Sequence, residues 1–591
     1  MKTRLTIVGA ALLVTVAACG TIQLGGADKT SDTEVALRAA LDGKTPDYAT
    51  KDPEGPKLWK QTRTFYERRK YQSAWITNAK PRPEIDDLIA SIREADRDGF
   101  DPDLYNVAML EERRTEASKG FLSDKGFDPR EAGALDVWLT YLYMKYASDA
   151  ADGLSDLARI DPAWKIRPEK FDPLAHLEKA LVDNRIPDSL RELMPVAPEY
   201  ARLRTALADY RAIAAKGGWP QLPVTLKLKP GQKSPHLSTL AARLAATHDY
   251  RGSIPQAKDA VYGTELQAAV KVFQQRHGLT DDAVIGKEFV AEINVPVTQR
   301  IAQIQMNMER WRWLPRDLGE RYILVNIPEM RLDVYEGDTV PLTMRVVVGK
   351  PDSQTPIFND EMTYVVFSPH WNVPETIAQN ETVPAVVKDP GFLTRNNMDI
   401  VDKAGNTVEP STVDLGDASA YRFRQRPGTD NSLGLVKFMF PNQFDVYLHD
   451  TPADSLFARA ARSLSHGCVR VEQPEALAKY VLADQPDWNA ERISEAMHAG
   501  EEKTVKLKKS LPVYLGYWTA RASPDGLLQF RRDVYDVDSR LAARLSDRLR
   551  RLGQSSAAAA VATTVKEPAG KAPAKKEAAR PAATKRRPPT K

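Results

Sequence analysis

Apolar residues recur at three- and four-residue steps over the first half of the chain and at every second position beyond residue 321. The polypeptide is therefore expected to pass from helix to strand along its length. Ile85, Leu88, Ile89 and Ile92 form one helical stripe, Tyr141, Met144 and Tyr146 belong to a second, and Leu203, Leu207 and Tyr210 to a third. These stripes predict a helical scaffold over 52–233. A compact unit follows at 234–296. In it Thr264 and Gln267 fit an N-cap and capping box, Leu266, Val270 and Phe273 line one face, and Gly278 offers a left-handed helix end. Ile301, Ile304, Met308 and Trp311 mark an amphipathic helix in the segment 297–319, stopping at Pro315. Packed back on the scaffold, this helix would make the 234–296 unit an insertion.

The period then becomes two. Strands are predicted at 321–327 and 330–335, at 342–348 after the Gly337-Asp338 turn, and at 363–367. A hairpin is predicted from 436–440 through Pro441-Asn442-Gln443 into 444–449, and a short strand at Val469-Arg470-Val471. Between them, 375–433 is rich in Asn, Asp, Pro and Gly and weakly periodic. So long an irregular stretch inside a compact domain is characteristically functional or unstructured, and we read it as a capping insertion. The chain is thus a multidomain α+β protein: helical scaffold, small three-helix domain, and a mainly-β domain over 320–484. Residues 485–552 are expected to return to the scaffold.

Composition changes the picture at the two ends. Lys2 and Arg4 precede an apolar run, Leu5 to Val16, that ends in small residues. It is too short to cross a bilayer, which takes about 20 apolar residues, and reads as a signal peptide over 1–18. Val16-Ala17-Ala18-Cys19-Gly20 resembles a bacterial lipobox, which implies lipidation of Cys19 and a membrane anchor outside the cytoplasm; a plain secretory signal is the alternative. Gly20, rather than Asp, favours the outer membrane over the inner. Residues 19–51 read as a flexible tether. At the other end, 553–591 holds nine Lys/Arg against two Asp/Glu. This Ala/Pro/Lys tail accounts for more than the whole net charge of +4, and its composition predicts disorder. The rest of the chain is slightly acidic, which gives no reason to expect a nucleic-acid partner.

Chemistry concentrates at the second cysteine. Ser465-His466-Gly467-Cys468-Val469-Arg470 follows Tyr447-Leu448-His449-Asp450. A nucleophilic thiol needs a neighbour that lowers its pKa or accepts its proton, commonly a histidine oriented by a third group. It also needs N–H groups aimed at the developing oxyanion. His449 ends a predicted strand, and Gly467 lets backbone approach a substrate closely. Zinc held by His449, His466 and Cys468, a redox thiol, and an idle site in a structural protein are the competing readings. His370 is read as structural.

These residues, with Pro369-His370-Trp371-Asn372-Val373-Pro374 and Gln425-Arg426-Pro427-Gly428, resemble the YkuD-type L,D-transpeptidases, in particular the large periplasmic subgroup with a helical scaffold. Tyr262-Gly263-Thr264, Ala269 to Gln274, Gly278-Leu279 and Gly286 resemble a three-helix peptidoglycan-binding domain, with Asp281-Asp282-Ala283 replacing its usual Asp-Gly. The resemblance implies Cys468 as nucleophile, His449 as base, and Gly467 in the catalytic loop. Ser465 and His466 would shape that loop, while Arg470 and Tyr447 would position substrate, joined by Trp371 and Asn372. A backbone carbonyl orients the histidine, here that of Asp450, where many members carry Gly. No metal or organic cofactor is implied. The implied partners are peptidoglycan stem peptides and glycan strands, with other cell-wall synthesis proteins. The implied reaction is a 3→3 cross-link through a thioester. L,D-carboxypeptidase, wall-protein-linking transferase and non-catalytic peptidoglycan-binding lipoprotein are the alternatives.

Overall fold

A computed structural model describes residues 29–77, 80–122, 128–154, 164–257, 259–389, 391–416 and 421–551. The signal segment, Cys19 and the basic tail lie outside the described residues.

The N-terminal part of the scaffold begins earlier than its polar composition suggests. Residues 29–51, read above as tether, include the helix Lys29–Asp42. Thr33, Leu37 and Leu41, four residues apart, are buried, while Asp32, Glu34 and Arg38 on the other faces make the stretch look uniformly polar. The three stripes named above lie on the helices Glu84–Arg93, Pro129–Asp152 and Pro198–Ala215, and every one of their residues is buried.

One core contains both the scaffold side chains from Leu37 to Trp219 and those from Val297 to Ala542; a separate core spans Leu222 to Ile293. The three-helix unit (Leu237–Ala245, Thr264–Arg276, Lys287–Ile293) therefore interrupts a continuous body. Its capping differs from the sequence expectation. Gly263, extended at φ −82°, ψ 173°, is the N-cap, so Thr264 is already helical. Gln267 Nε2 donates instead to the Tyr262 carbonyl at 2.8 Å. The other end closes as the glycine suggests: Gly278 has φ +63°, and Leu279 N–H donates to Gln274 O at 2.8 Å, a Schellman ending. Ala283, in place of the usual glycine, is also left-handed at φ +60°.

The β region is a nine-stranded sheet: β1 (Arg321–Asn326), β2 (Arg331–Glu336), β3 (Thr339–Gly349), β4 (Phe358–Phe367), β5 (Val436–Met439), β6 (Leu448–His449), β7 (Ser463–Ser465), β8 (Val469–Val471) and β9 (Lys503–Gly516). Their spatial order is β7-β3-β8-β6-β5-β4-β9-β1-β2, and β2 pairs back onto β3, so the sheet closes on itself. β9 corrects the first part of the expected return of 485–552 to the scaffold. It lies between β4 and β1, hidden in the sequence by Lys503, Lys506, Lys508 and Lys509 and by a register shift between Lys506 and Leu511. Beyond β9 the chain does return: Ala520–Ala522 packs on the Pro198–Ala215 and Val297–Arg312 helices, with Arg521 paired to Glu199 at 2.8 Å, and Val537–Arg551 packs on the Val297–Arg312 helix.

The capping insertion is not an irregular loop. Four short strands, Trp371–Asn372, Arg422–Gln425, Met398–Val401 and Thr407–Val408, pair in that order. They cover a small core of Val373, Val386, Leu393, Ile400 and Phe423. The unit thus starts at Trp371, ahead of the expected 375.

Candidate active site

The site is built on the parallel pair β6 and β8. Leu448 is opposite Val469 and His449 opposite Arg470. Leu448 and Val469 are fully buried in the sheet core. Because side chains alternate along a strand, Tyr447, His449, Cys468 and Arg470 share the opposite face. Two residues from each strand end thereby meet on one surface. The predicted strand 444–449 is shortened to its last two residues. Before them, Asn442 folds the chain into a turn, its Nδ2 donating to Val446 O at 2.7 Å and its Oδ1 accepting from Phe444 N–H at 2.9 Å. This turn brings the Asp445 carbonyl to 3.8 Å from Cys468 Sγ.

His449 Nδ1–H donates to the Asp450 carbonyl at 2.5 Å, which fixes the tautomer and leaves Nε2 as the basic nitrogen. The ring is buried, and that burial, reinforced by the Arg470 and Lys437 cations, depresses its pKa to about 3. Cys468 is half-buried. Burial pushes its thiol pKa up, against the lowering effect of hydrogen bonds from the Tyr447 backbone and hydroxyl and of the Arg470 charge. The resting pair is accordingly neutral thiol and neutral imidazole. Of the two routes to a reactive sulfur, a preformed thiolate and a base that takes the proton during attack, this environment supports the second.

The nucleophile loop is held from below. Ser465 Oγ donates to Cys468 O at 2.6 Å and accepts from Gly467 N–H at 3.1 Å. Gly467 has φ +124°. Its carbonyl accepts from Thr355 Oγ1 at 2.7 Å, and the Tyr535 hydroxyl accepts from Thr355 N–H at 3.2 Å and donates to Gly349 O at 2.5 Å. Thr355 and Tyr535 carry no motif, and sequence reasoning missed both. His466 Nε2 lies 2.8 Å from Glu381 Oε1. Glu381 belongs to a π-helical turn of the cap, Ala378–Thr382, so the cap meets the loop that carries the nucleophile.

Residues 320–505 match the sequence family described as the L,D-transpeptidase catalytic domain, YkuD. The chain carries a YkuD-type L,D-transpeptidase catalytic domain. Residues 60–207 match a scaffold domain, and 234–293 match a "Putative peptidoglycan binding domain". A curated protein of Haemophilus influenzae named "Putative L,D-transpeptidase" is 34% identical over 248 residues, 42% of this chain and 49% of that protein. The match thus spans about half of that relative's length. Among solved structures, an L,D-transpeptidase from Mycobacterium smegmatis aligns at 14% identity over 33% of this chain and 58% of that one, with a TM-score of 0.16. One from Xylanimonas cellulosilytica (residues 123–326) aligns at 15% identity over 50% of this chain and all of that one, also at 0.16. Scores this low say nothing about how the parts are arranged.

Within the YkuD domain, Asp450, Trp371 and Asn372 are held by their own local structure. The Asp450 carboxylate accepts from Leu435 N–H and Thr451 N–H, each at 2.7 Å; it serves the backbone at the start of β5, and only its carbonyl faces the histidine. Trp371 rests half-buried on the cap core, and Asn372 faces solvent on the cap's edge strand. Their shared strand explains the placement, since it pairs with Arg422–Gln425 rather than with the barrel. As to the zinc alternative, no group of three or more His, Cys, Asp or Glu is placed to hold a metal among the described residues.

Proposed function

We propose that this protein is a peptidoglycan L,D-transpeptidase that forms 3→3 cross-links through a Cys468 thioester. The observation that carries the reading is the β6/β8 register, which sets the Cys468 thiol and the His449 imidazole on one face with Asp450 O orienting the ring. His449 Nε2 takes the thiol proton as sulfur attacks the carbonyl of the donor stem's third residue. The tetrahedral intermediate collapses, the proton passes to the leaving amine, and D-alanine departs. An amine on a neighbouring stem then attacks the thioester, giving the cross-link and returning the thiol. Arg470 and Tyr447 border the sulfur and would position the peptide. A closed cap limits water, which would otherwise turn transfer into hydrolysis.

The peptidoglycan-binding domain would hold the enzyme on its polymer, and a lipid on Cys19 would tether it to the membrane, most simply the periplasmic face of the outer membrane. Mass spectrometry of products from a purified tetrapeptide-stem muropeptide tests the reading. Cross-linked dimer with released D-alanine is expected; tripeptide alone would make the enzyme a carboxypeptidase, and unchanged substrate would remove the catalytic reading.

A further inference from the structure

Lys437 belongs to no motif, yet the sheet register sets it beside His449. Lys437 is directly opposite His449 in the antiparallel β5/β6 pair, and Arg470 is directly opposite His449 in the parallel β6/β8 pair. Paired residues point to one side of a sheet. Arg470, His449 and Lys437 therefore form a row across three adjacent strands, with the imidazole between two cations.

Neither cation is matched by an anion. Among the described residues, neither Lys437 Nζ nor the Arg470 guanidinium makes a salt bridge or hydrogen bond, and Arg470 Nε is a buried donor without a partner. Both side chains are half-buried. The carboxylate that acts electrostatically on Lys437 is Glu502. Glu502 is occupied by His370, accepting from its N–H at 2.7 Å and lying 3.5 Å from its ring nitrogen Nδ1. Two partly desolvated cations without counter-ions are costly unless a ligand supplies the charge. They flank the residue that serves as base in the proposed reaction.

We propose that Lys437 and Arg470 together bind a free carboxylate of the donor peptide next to its scissile bond, and that Lys437 is the residue that makes the enzyme prefer the acid to the amide. This rests on the proposed function for the nature of the peptide, not for the existence of the anion site. Two carboxylates flank the scissile bond of such a stem: the side-chain carboxylate of the third residue and the terminal carboxylate of the leaving residue. Either fits the shared chemistry. Lys437 also adds to burial and Arg470 in disfavouring the imidazolium form of His449, and a bound carboxylate would offset that effect.

The test is calorimetric binding to the full chain carrying Cys468→Ala, with and without Lys437→Met, using three tetrapeptide stems: the free acid, its third-residue carboxamide and its terminal carboxamide. Lys437→Arg is the charge-retaining control, and an unchanged thermal melt of each variant shows that it folds. Lys437→Met should weaken binding of the free acid about ten-fold or more, and Lys437→Arg should largely restore it. One carboxamide should bind equally with or without Lys437, which identifies the carboxylate read. Equal binding of the free acid in both backgrounds, or an equal loss for all three peptides, would overturn the proposal. If the free acid is discriminated but wild type never forms an acyl adduct, the anion site stands and the transpeptidase reading falls.

Discussion

His449 and Asp450 are neighbours in the chain, yet they meet through the ring of one and the carbonyl of the other, 2.5 Å from Nδ1 to O. The contact needs no side chain on residue 450. A departure from glycine at that position is therefore compatible with an oriented base, and the aspartate carboxylate is free to hold the Leu435 and Thr451 amides.

Tyr447 stabilises the thiolate form of Cys468 through its hydroxyl, while burial opposes that form. Removing the hydroxyl in Tyr447→Phe should raise the thiol pKa further. The pH profile of iodoacetamide alkylation, which reads the thiolate, should shift to more alkaline pH, with a rate at neutral pH lower by about three- to ten-fold. Stopped-time alkylation followed by intact mass checks this.

Gly467 sits at φ +124°, where side chains other than glycine are strained, although a Cβ there would meet only Gln354 O, at 3.7 Å. The cost in Gly467→Ala is then conformational rather than steric, about 1–3 kcal/mol. Relief of that strain by a loop shift would move the Cys468 N–H away from any oxyanion it serves. A fall in kcat of about ten-fold or more at little change in KM is expected, with a modest drop in Tm. Steady-state kinetics and calorimetry together decide it.

The cap meets the nucleophile loop at Glu381 and His466. Glu381→Gln keeps the shape but removes the charge, and Glu381→Ala removes the contact. Both should increase the share of acyl-enzyme lost to water, Glu381→Ala more so, seen as a higher ratio of tripeptide to cross-linked product. An unchanged ratio would mean that this contact does not govern closure.

Stability at low pH should report on Glu329. Burial alone would raise its pKa, but Arg531, Arg521 and Arg331 outweigh this and hold it at about 2. Its folded value is below the unfolded one, so its contribution is fully present above the ordinary glutamate range and is lost as pH falls toward 2. The difference corresponds to about 3 kcal/mol. Glu329→Gln should destabilise at neutral pH by about that amount, since it leaves Arg531 and Arg521 short of a partner. It should also flatten the fall in Tm between pH 4.5 and pH 2. Calorimetry across that range measures both effects.

Where periodicity was regular, the fold could be read from the chain. The stripe Ile85, Leu88, Ile89, Ile92 lies on a helix with all four buried, and β1 to β4 fall where alternation placed them. Pattern failed where charge masked it: the first helix hides Leu37 and Leu41 among acids and an arginine, and β9 hides behind four lysines. The cap has too few residues in each strand to show a period, though Ile400 and Phe423 form a real core. At the site, Cys468, His449, Ser465 and Gly467 were legible because their chemistry demands those residue types at those places. Thr355, Tyr535, Glu381 and Lys437 were not, since each arrives by tertiary packing or cross-strand register from a segment without a motif.

The most direct test of the central claim is intact-mass analysis of the protein incubated with a donor tetrapeptide stem. The account expects wild type to gain the peptide mass less one D-alanine, as a hydroxylamine-sensitive thioester on Cys468. Cys468→Ala should gain nothing, and a His449→Ala variant should acylate far more slowly. An equal adduct on Cys468→Ala, or no adduct on a folded wild type that binds the peptide, would contradict it.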